Sequence, residues 1–123
     1  MVSRLRTQRI AERIQHELSE LLLRDAGDPR LVGVSITGVK VDSELAFADI
    51  YFSCVDGSIR SHEILDGLRH AQGFLRSQLA DRIELRIFPR LRFHWDSTPE
   101  NADRMERIFE KIRKDREESP TAE

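Results

Sequence analysis

Residues 61–95 read SHEILDGLRHAQGFLRSQLADRIELRIFPRLRFHW and decide the fold. Apolar residues recur there at spacings of three and four, which indicates an amphipathic helix with one buried stripe. The stripe comprises Ile64, Leu65, Leu68, Ala71, Leu75 and Leu79. Gly73 lies inside the helix, where a glycine costs roughly 1 kcal/mol relative to alanine. The sequence therefore predicts a kink at Ala71-Gln72-Gly73, with Gly73 either in a conformation that disfavours a Cβ or close to another backbone.

The end of this stretch, Arg90–Trp95, alternates strictly between basic and apolar residues, which predicts a strand. We assign the apolar face to the core, since aromatic residues opposite a charged face are more often buried than exposed as a base-stacking platform. The charged face is then available to a ligand. The two faces are Leu91, Phe93 and Trp95 on one side and Arg90, Arg92 and His94 on the other.

Upstream of residue 61, the sequence predicts a helix and a hairpin. Helical spacing of apolar residues runs from Arg4 to about Arg24, and Gly27-Asp28-Pro29 ends the helix because proline cannot continue it. A first strand pattern over 34–41 changes phase at Gly38, which predicts a bulge there. A second alternating run over 46–54 predicts an antiparallel partner strand.

Downstream of residue 95, the sequence predicts a third helix. Ser97 and Glu100 match a capping box, so the helix should begin at Thr98. Its short apolar stripe consists of Met105, Ile108, Phe109 and Ile112. We expect a domain over 1–113 and a charged, disordered tail over 114–123. The order helix, strand, strand, helix, strand, helix predicts an α+β fold with helices on one face of a three-stranded sheet.

Length and composition narrow the function classes. A chain of 123 residues suits one domain. It has one cysteine and lacks the run of about 18 apolar residues that a membrane span needs. Its N-terminus has no apolar segment typical of export, so we expect a cytoplasmic protein. The residue spacings show no metal site, no nucleophile beside a base and no phosphate loop. We therefore predict a monomer that is not an enzyme, with no catalytic residue, metal, cofactor, small-molecule substrate or membrane contact.

The net charge is only −2, but the charges are unevenly distributed. Residues 1–13 carry four arginines against one glutamate, and residues 60–94 carry seven arginines against four acids. Arginine presents a planar fork that matches phosphate oxygens. Each arginine taken singly is as well explained by a solvated helix face with ion pairs, but the two clusters together favour RNA.

Several short motifs together resemble one family, over residues 4–113. A helix–strand–strand–helix–strand order with a broken second helix resembles the type II KH fold, in which that break carries a Gly-x-x-Gly loop. With its Ala-x-Gly variant, this chain is similar to bacterial ribosome-binding factor A. The motifs are Arg13-Ile14, Glu17-Leu18, Asp28-Pro29-Arg30-Leu31, Ala71-x-Gly73 and Pro89-x-Leu91-x-Phe93-x-x-Asp96.

The resemblance implies a non-enzymatic factor that binds the small ribosomal subunit and its rRNA during late maturation and rRNA processing, with a link to growth in the cold. Because the loop lacks its first glycine, the site should recognise shape and phosphate more than bases. The predicted RNA-binding residues are Arg4, Arg6, Arg9, Arg13, Arg69, Ala71, Gly73, Arg76, Arg82, Arg86, Arg90 and Arg92.

Two other classes of function stay open. The chain could be a protein-interaction module that docks a partner through its sheet edge or its acidic C-terminal helix, with an affinity insensitive to salt and nuclease. It could also be a small nucleic-acid enzyme, which would need catalytic groups on the face of Arg90, Arg92 and His94.

Overall fold

The computed structural model describes residues 2–24 and 27–118, and within them the predicted order of elements is confirmed. Two short 3-10 helices, Pro29–Leu31 and Gly57–Arg60, join the main elements. The main elements in chain order are α1 (Arg4–Arg24), β1 (Val34–Val41), β2 (Phe47–Cys54), α2 (Ser61–Arg82), β3 (Arg90–Trp95) and α3 (Thr98–Glu118).

The sheet has the strand order β1-β2-β3 and is mixed. β1 and β2 form the predicted antiparallel hairpin, with a register shift between Ile36 and Gly38 that confirms the bulge. β3 pairs with β2 in parallel, so that Asp49 lies opposite Arg92 and Tyr51 lies opposite His94. A parallel neighbour needs a crossover connection, and α2 provides it.

The core lies between the sheet and two helices, α1 and α2, which pack on the same face. Alternate residues of β2 and β3 point into it, and these include Leu91 and Phe93, as the alternation predicts. The fully buried side chains include Ile14, Leu18, Ile50, Phe52, Ile64, Leu68 and Leu79. The other face of the sheet is not covered by either helix.

Neither reason predicted for a glycine at position 73 is found. The helix is continuous from Ser61 to Arg82, Gly73 has no positive φ, and a Cβ built on it would have nothing within 4 Å. A bend of the helix at this point stays a prediction. The close approach occurs instead at Gly67, where a Cβ would lie 3.0 Å from Leu31 Cδ2 and 3.2 Å from Arg30 Cβ. Gly67 is buried against the 3-10 helix that follows α1. The site on α2 that is tight for a Cβ is therefore Gly67 rather than Gly73.

α3 begins at Thr98 as predicted, but it does not join the helix layer. Its apolar stripe stays exposed, for example 60% at Phe109, and it makes few contacts with the other elements. The expectation that all helices lie on one face of the sheet is thus corrected for α3. The helix extends past the predicted domain boundary at residue 113 to Glu118, and that boundary stays a prediction. Of the predicted tail, residues 119–123 lie outside the described residues.

The predicted capping box at the start of α3 is also wrong. The Glu100 carboxylate does not reach back to Ser97 but accepts hydrogen bonds from the Trp95 indole at 2.9 Å and from the Ser58 backbone N–H at 3.2 Å. The Asp96 carboxylate accepts from the N–H of Thr98 instead. The first turn of α3 is therefore anchored by tertiary contacts rather than by a local cap.

Candidate nucleic-acid interface

The structure separates the predicted RNA-binding residues into three groups. We call the first the basic end, formed by the first half of α1, the last residue of α2 and the loop before β3. The second is the outer part of α2, and the third is the open sheet face, the side of the sheet away from α1 and α2. The basic end holds Arg4, Arg6, Arg9, Arg13, Arg82 and Arg86, the outer part of α2 holds Arg69, Ala71, Gly73 and Arg76, and the open sheet face holds Arg90 and Arg92.

Tertiary contacts assemble the basic end from parts that are distant in sequence. The Val2 N–H donates to the Ser43 carbonyl at 3.0 Å, which holds the start of α1 at the β1–β2 turn. The Arg13 guanidinium donates to the Arg82 carbonyl at 3.0 Å and joins α1 to the end of α2. Arg6 and Arg86 line the same surface depression. The two basic segments of the sequence therefore meet on one side of the domain.

Most arginines of the basic end are not neutralised within the protein. Arg13 and Arg82 share one carboxylate, Glu17, at 3.9 and 3.8 Å. Within the part of the chain that the structure describes, the guanidinium groups of the other four form no hydrogen bond or ion pair, and these residues are exposed. These four are Arg4, Arg6, Arg9 and Arg86. An exposed guanidinium with its donors open is suited to a phosphate oxygen.

The outer part of α2 combines an exposed surface with a structural contact. Arg69 and Gly73 are exposed, whereas Ala71 is half-buried against the core. The Arg76 guanidinium donates to the backbone carbonyls of Phe88 and Pro89. Arg76 therefore holds the residues just before β3 in place, and its donors are occupied by the fold.

The arginines of β3 lie on the opposite side of the domain from α2. Arg92 makes two hydrogen bonds to the Asp49 carboxylate, at 2.8 and 3.1 Å, and His94 Nε2 lies 2.8 Å from the same carboxylate. Hydrogen bonding to Arg92, followed by that to His94, lowers the pKa of Asp49. The Asp49 carboxylate in turn raises the pKa of Arg92. Arg90 is exposed.

Sequence reasoning missed the aromatic side chains of the open sheet face. The Arg92 guanidinium lies 4.0 Å from the centroid of the Phe47 ring, and the rings of Tyr51 and His94 are 5.2 Å apart. Lys40 Nζ is 5.7 Å from the Tyr51 centroid. The signal was present, because the alternation of β2 places Phe47, Asp49 and Tyr51 opposite its buried residues.

Sequence reasoning also missed the structural role of Arg60. It donates to the carbonyls of Arg30 and Val32, both at 3.0 Å, and so ties the residues just before α2 to the 3-10 helix Pro29–Leu31. In that helix the Arg30 guanidinium bonds the Asp28 carboxylate and lowers the pKa of Asp28 to about 2. The Asp28 carboxylate also accepts from the Arg30 backbone N–H and so caps this 3-10 helix.

Over residues 2–24 and 27–118, no group of three or more histidine, cysteine or acidic side chains could hold a metal ion. None of the helices in these ranges is long and apolar enough to cross a bilayer. The charged surfaces are therefore the candidate binding sites in this part of the chain.

The fold and these surfaces define a small α+β binding protein with arginines left open on one side. A family model described as ribosome-binding factor A matches residues 6–109. The ribosome-binding factor A of Chromohalobacter salexigens is 44% identical over 107 residues, which cover 85% of this chain and 82% of the relative. The chain belongs to the ribosome-binding factor A family.

Solved structures agree with this assignment. The solution NMR structure of a Thermotoga maritima protein matches with a TM-score of 0.65 at 28% identity, covering 76% of this chain and 90% of that one. A Thermus thermophilus ribosome-binding factor A homology model, fitted into the cryo-EM map of a 30S complex with that factor, matches with a TM-score of 0.58. At 23% identity, covering 71% of this chain and 91% of that one, it shows the shared fold.

Proposed function

We propose that this protein binds the small ribosomal subunit in the cytoplasm during late maturation and rRNA processing, and that it does so without catalysing a reaction. The basic end is the part that contacts rRNA. The observation that carries this proposal is the set of four exposed arginines there whose guanidinium groups have no partner among the described residues. Family membership and the 30S complex of the Thermus relative support it.

The basic end carries arginines whose donors are not occupied by contacts that stabilise the fold, and this favours binding to rRNA. Arginines that stabilise this fold have their donors occupied, as Arg60 and Arg76 do. Arg6 and Arg9 are exposed in the first turns of α1 and have no such contact among the described residues. Half to two-thirds of protein contacts to nucleic acid go to phosphate and sugar, and each neutralised phosphate releases counterions. Binding should therefore depend steeply on salt.

The test is a charge reversal with a matched control. Arg6→Glu/Arg9→Glu should weaken binding to purified small subunits and reduce the slope of log affinity against log salt by about 2, one unit for each lost phosphate contact. Arg104→Glu/Arg113→Glu on α3 makes the same change in net charge at exposed arginines and should bind as the wild type does. Sedimentation binding at several salt concentrations gives both numbers.

Circular dichroism separates a binding effect from unfolding, since Arg6 and Arg9 are exposed on the solvent side of α1. Affinity of the wild type that stays constant over a several-fold rise in salt would contradict the proposal. So would a charge-reversed variant that binds like its control.

The competing role, a protein-interaction module, has one observation in its favour. The stripe Met105, Ile108, Phe109 and Ile112 is 45–60% exposed on α3. That role predicts binding to the subunit that survives both high salt and nuclease treatment of the rRNA. The same sedimentation experiment distinguishes the two roles.

A further inference from the structure

The open sheet face is a second surface with its own chemistry. α1 and α2 pack on the other side of the sheet, and α3 makes few contacts with any element. The side chains of β2 and β3 on this face alternate with buried ones, and Arg92 and His94 keep 49% and 42% of their side-chain surface exposed. The face is therefore flat, made of backbone-fixed positions and open to solvent.

Two planar groups lie side by side on this face. Arg92 donates two hydrogen bonds to the Asp49 carboxylate while its guanidinium lies over the Phe47 ring. His94 is held by the same carboxylate and packs against Tyr51, with their planes tilted by 32°. Residues 92 and 94 are neighbours on one face of a strand, about 6.6 Å apart along it. Each pair therefore brings two planar groups together, and Arg92 and His94 remain partly exposed to solvent.

The charge of the face selects the ligand class. Lys40, Arg90 and Arg92 carry three positive charges, and the Asp49 carboxylate is shared by Arg92 and His94. Asp42 also lies close enough to raise the pKa of Arg92, and Asp96 accepts a hydrogen bond from Thr37 at the far end of the face. Lys40 is exposed on β1, with its Nζ 5.7 Å from the centroid of the Tyr51 ring, and Arg90 is exposed on β3, two residues before Arg92. Cations that flank a pair of planar groups fit a ligand with a negative backbone and flat rings.

We propose that the open sheet face binds single-stranded RNA, with two unpaired bases stacked on the Arg92–Phe47 and His94–Tyr51 pairs and the backbone contacting Lys40 and Arg90. Unstacked bases bind to aromatic rings and guanidinium planes, whereas a duplex hides its base faces. An acidic protein segment would satisfy the cations but would leave the planar groups without a partner. This inference rests on the proposal that the protein binds RNA and adds a site separate from the basic end.

The experiment measures fluorescence anisotropy of a labelled single-stranded RNA of about eight nucleotides, within the span that one small domain covers. The same strand annealed to its complement is the duplex probe. Tyr51→Ala should lower the affinity for the single strand by about fivefold to a hundredfold, because base stacking is lost. Tyr51→Phe keeps the ring and should bind like the wild type.

A second variant tests the cations and keeps all four side chains of the two planar pairs. Lys40→Gln/Arg90→Gln should reduce the salt slope by up to about 2. Arg104→Gln/Arg113→Gln on α3 loses the same charge and should leave the slope unchanged. Melting curves show whether each variant folds. If Tyr51→Ala does not fold, Lys40→Gln/Arg90→Gln still tests the proposal.

Several outcomes would overturn the inference. They are equal affinity of the wild type for the single strand and the duplex, sheet variants that bind the single strand as the wild type does, and competition by poly-glutamate as effective as that by RNA. Loss of single-strand binding in Arg6→Glu/Arg9→Glu alone would assign the RNA to the basic end and would also overturn it. Failure of the wild type to bind small subunits, with single-strand binding intact, would instead count against the proposed function.

Discussion

Gly67 and Gly73 lie on the same helix, yet their surroundings are opposite. Gly67 is buried against Arg30 and Leu31, whereas Gly73 is exposed and a Cβ on it would meet nothing within 4 Å. Helical periodicity and glycine propensity treat the two alike. The difference shows that the need for a glycine in α2 comes from what packs on the helix, which is the 3-10 helix after α1.

The largest expected effect tests the packed glycine. Gly67→Val should destabilise the protein by about 1–3 kcal/mol, since extra carbon atoms in a filled site force neighbours to move. Gly73→Val is the matched control, because it adds the same atoms to the same helix in open space. Urea unfolding of both variants measures the difference. Equal stability of the two would contradict the packing of Gly67.

A smaller effect of opposite sign tests the open glycine. Gly73→Ala should stabilise the protein by up to about 1 kcal/mol, because alanine removes the entropy cost of glycine in a helix interior. Thermal unfolding gives the change. A loss of stability would show that Gly73 has a packing or conformational role and would remove the contrast with Gly67.

The smallest effect concerns the turn that fills the space beside Gly67. Hydrogen bonding by Arg30 lowers the pKa of Asp28 to about 2, against about 3.9 in an unfolded chain. A lowered folded pKa stabilises the protein above about pH 4, and this contribution is lost as the pH falls towards 2. The stability gap between wild type and Asp28→Asn should therefore shrink over that window. Because the pair is exposed, solvent screening keeps the effect small.

Urea unfolding at pH 7, 4 and 2.5 tests this prediction. When Arg30→Gln is also present, the stability difference between proteins with Asp28 and with Asp28→Asn should change less with pH, since Arg30 is the group that lowers the Asp28 pKa. A gap that stays constant with pH would show that the ion pair does not contribute.

The elements of the fold could be predicted from sequence because they depend on local patterns. Alternation identified β1 to β3, and the phase change at Gly38 located the bulge. The misses involve partners distant in sequence. Gly67 packs on Leu31, and Glu100 bonds to Ser58 rather than forming the capping box that its spacing suggests. A local rule fails where a tertiary contact offers a better partner.

The candidate site could be predicted as a set of arginines but not as surfaces. Charge clustering singled out the two basic segments, and the contact between Arg13 and Arg82 shows that they meet. The sequence placed Arg76 and Arg92 in the same cluster because they are close along the chain. The structure places them on opposite sides of the sheet and gives each a partner that no spacing rule indicates. Whether any of these arginines contacts RNA stays a prediction.

The contact between α3 and Trp95 gives the protein an intrinsic fluorescence signal. Trp95 is the only tryptophan in the chain. Its ring packs edge-on against the buried Phe52, with centroids 5.5 Å apart, while its indole N–H bonds to Glu100 in the first turn of α3. The emission of one fluorophore therefore responds both to the packing of the core and to the attachment of α3. Ligand-induced displacement of that helix can be followed without attaching a label.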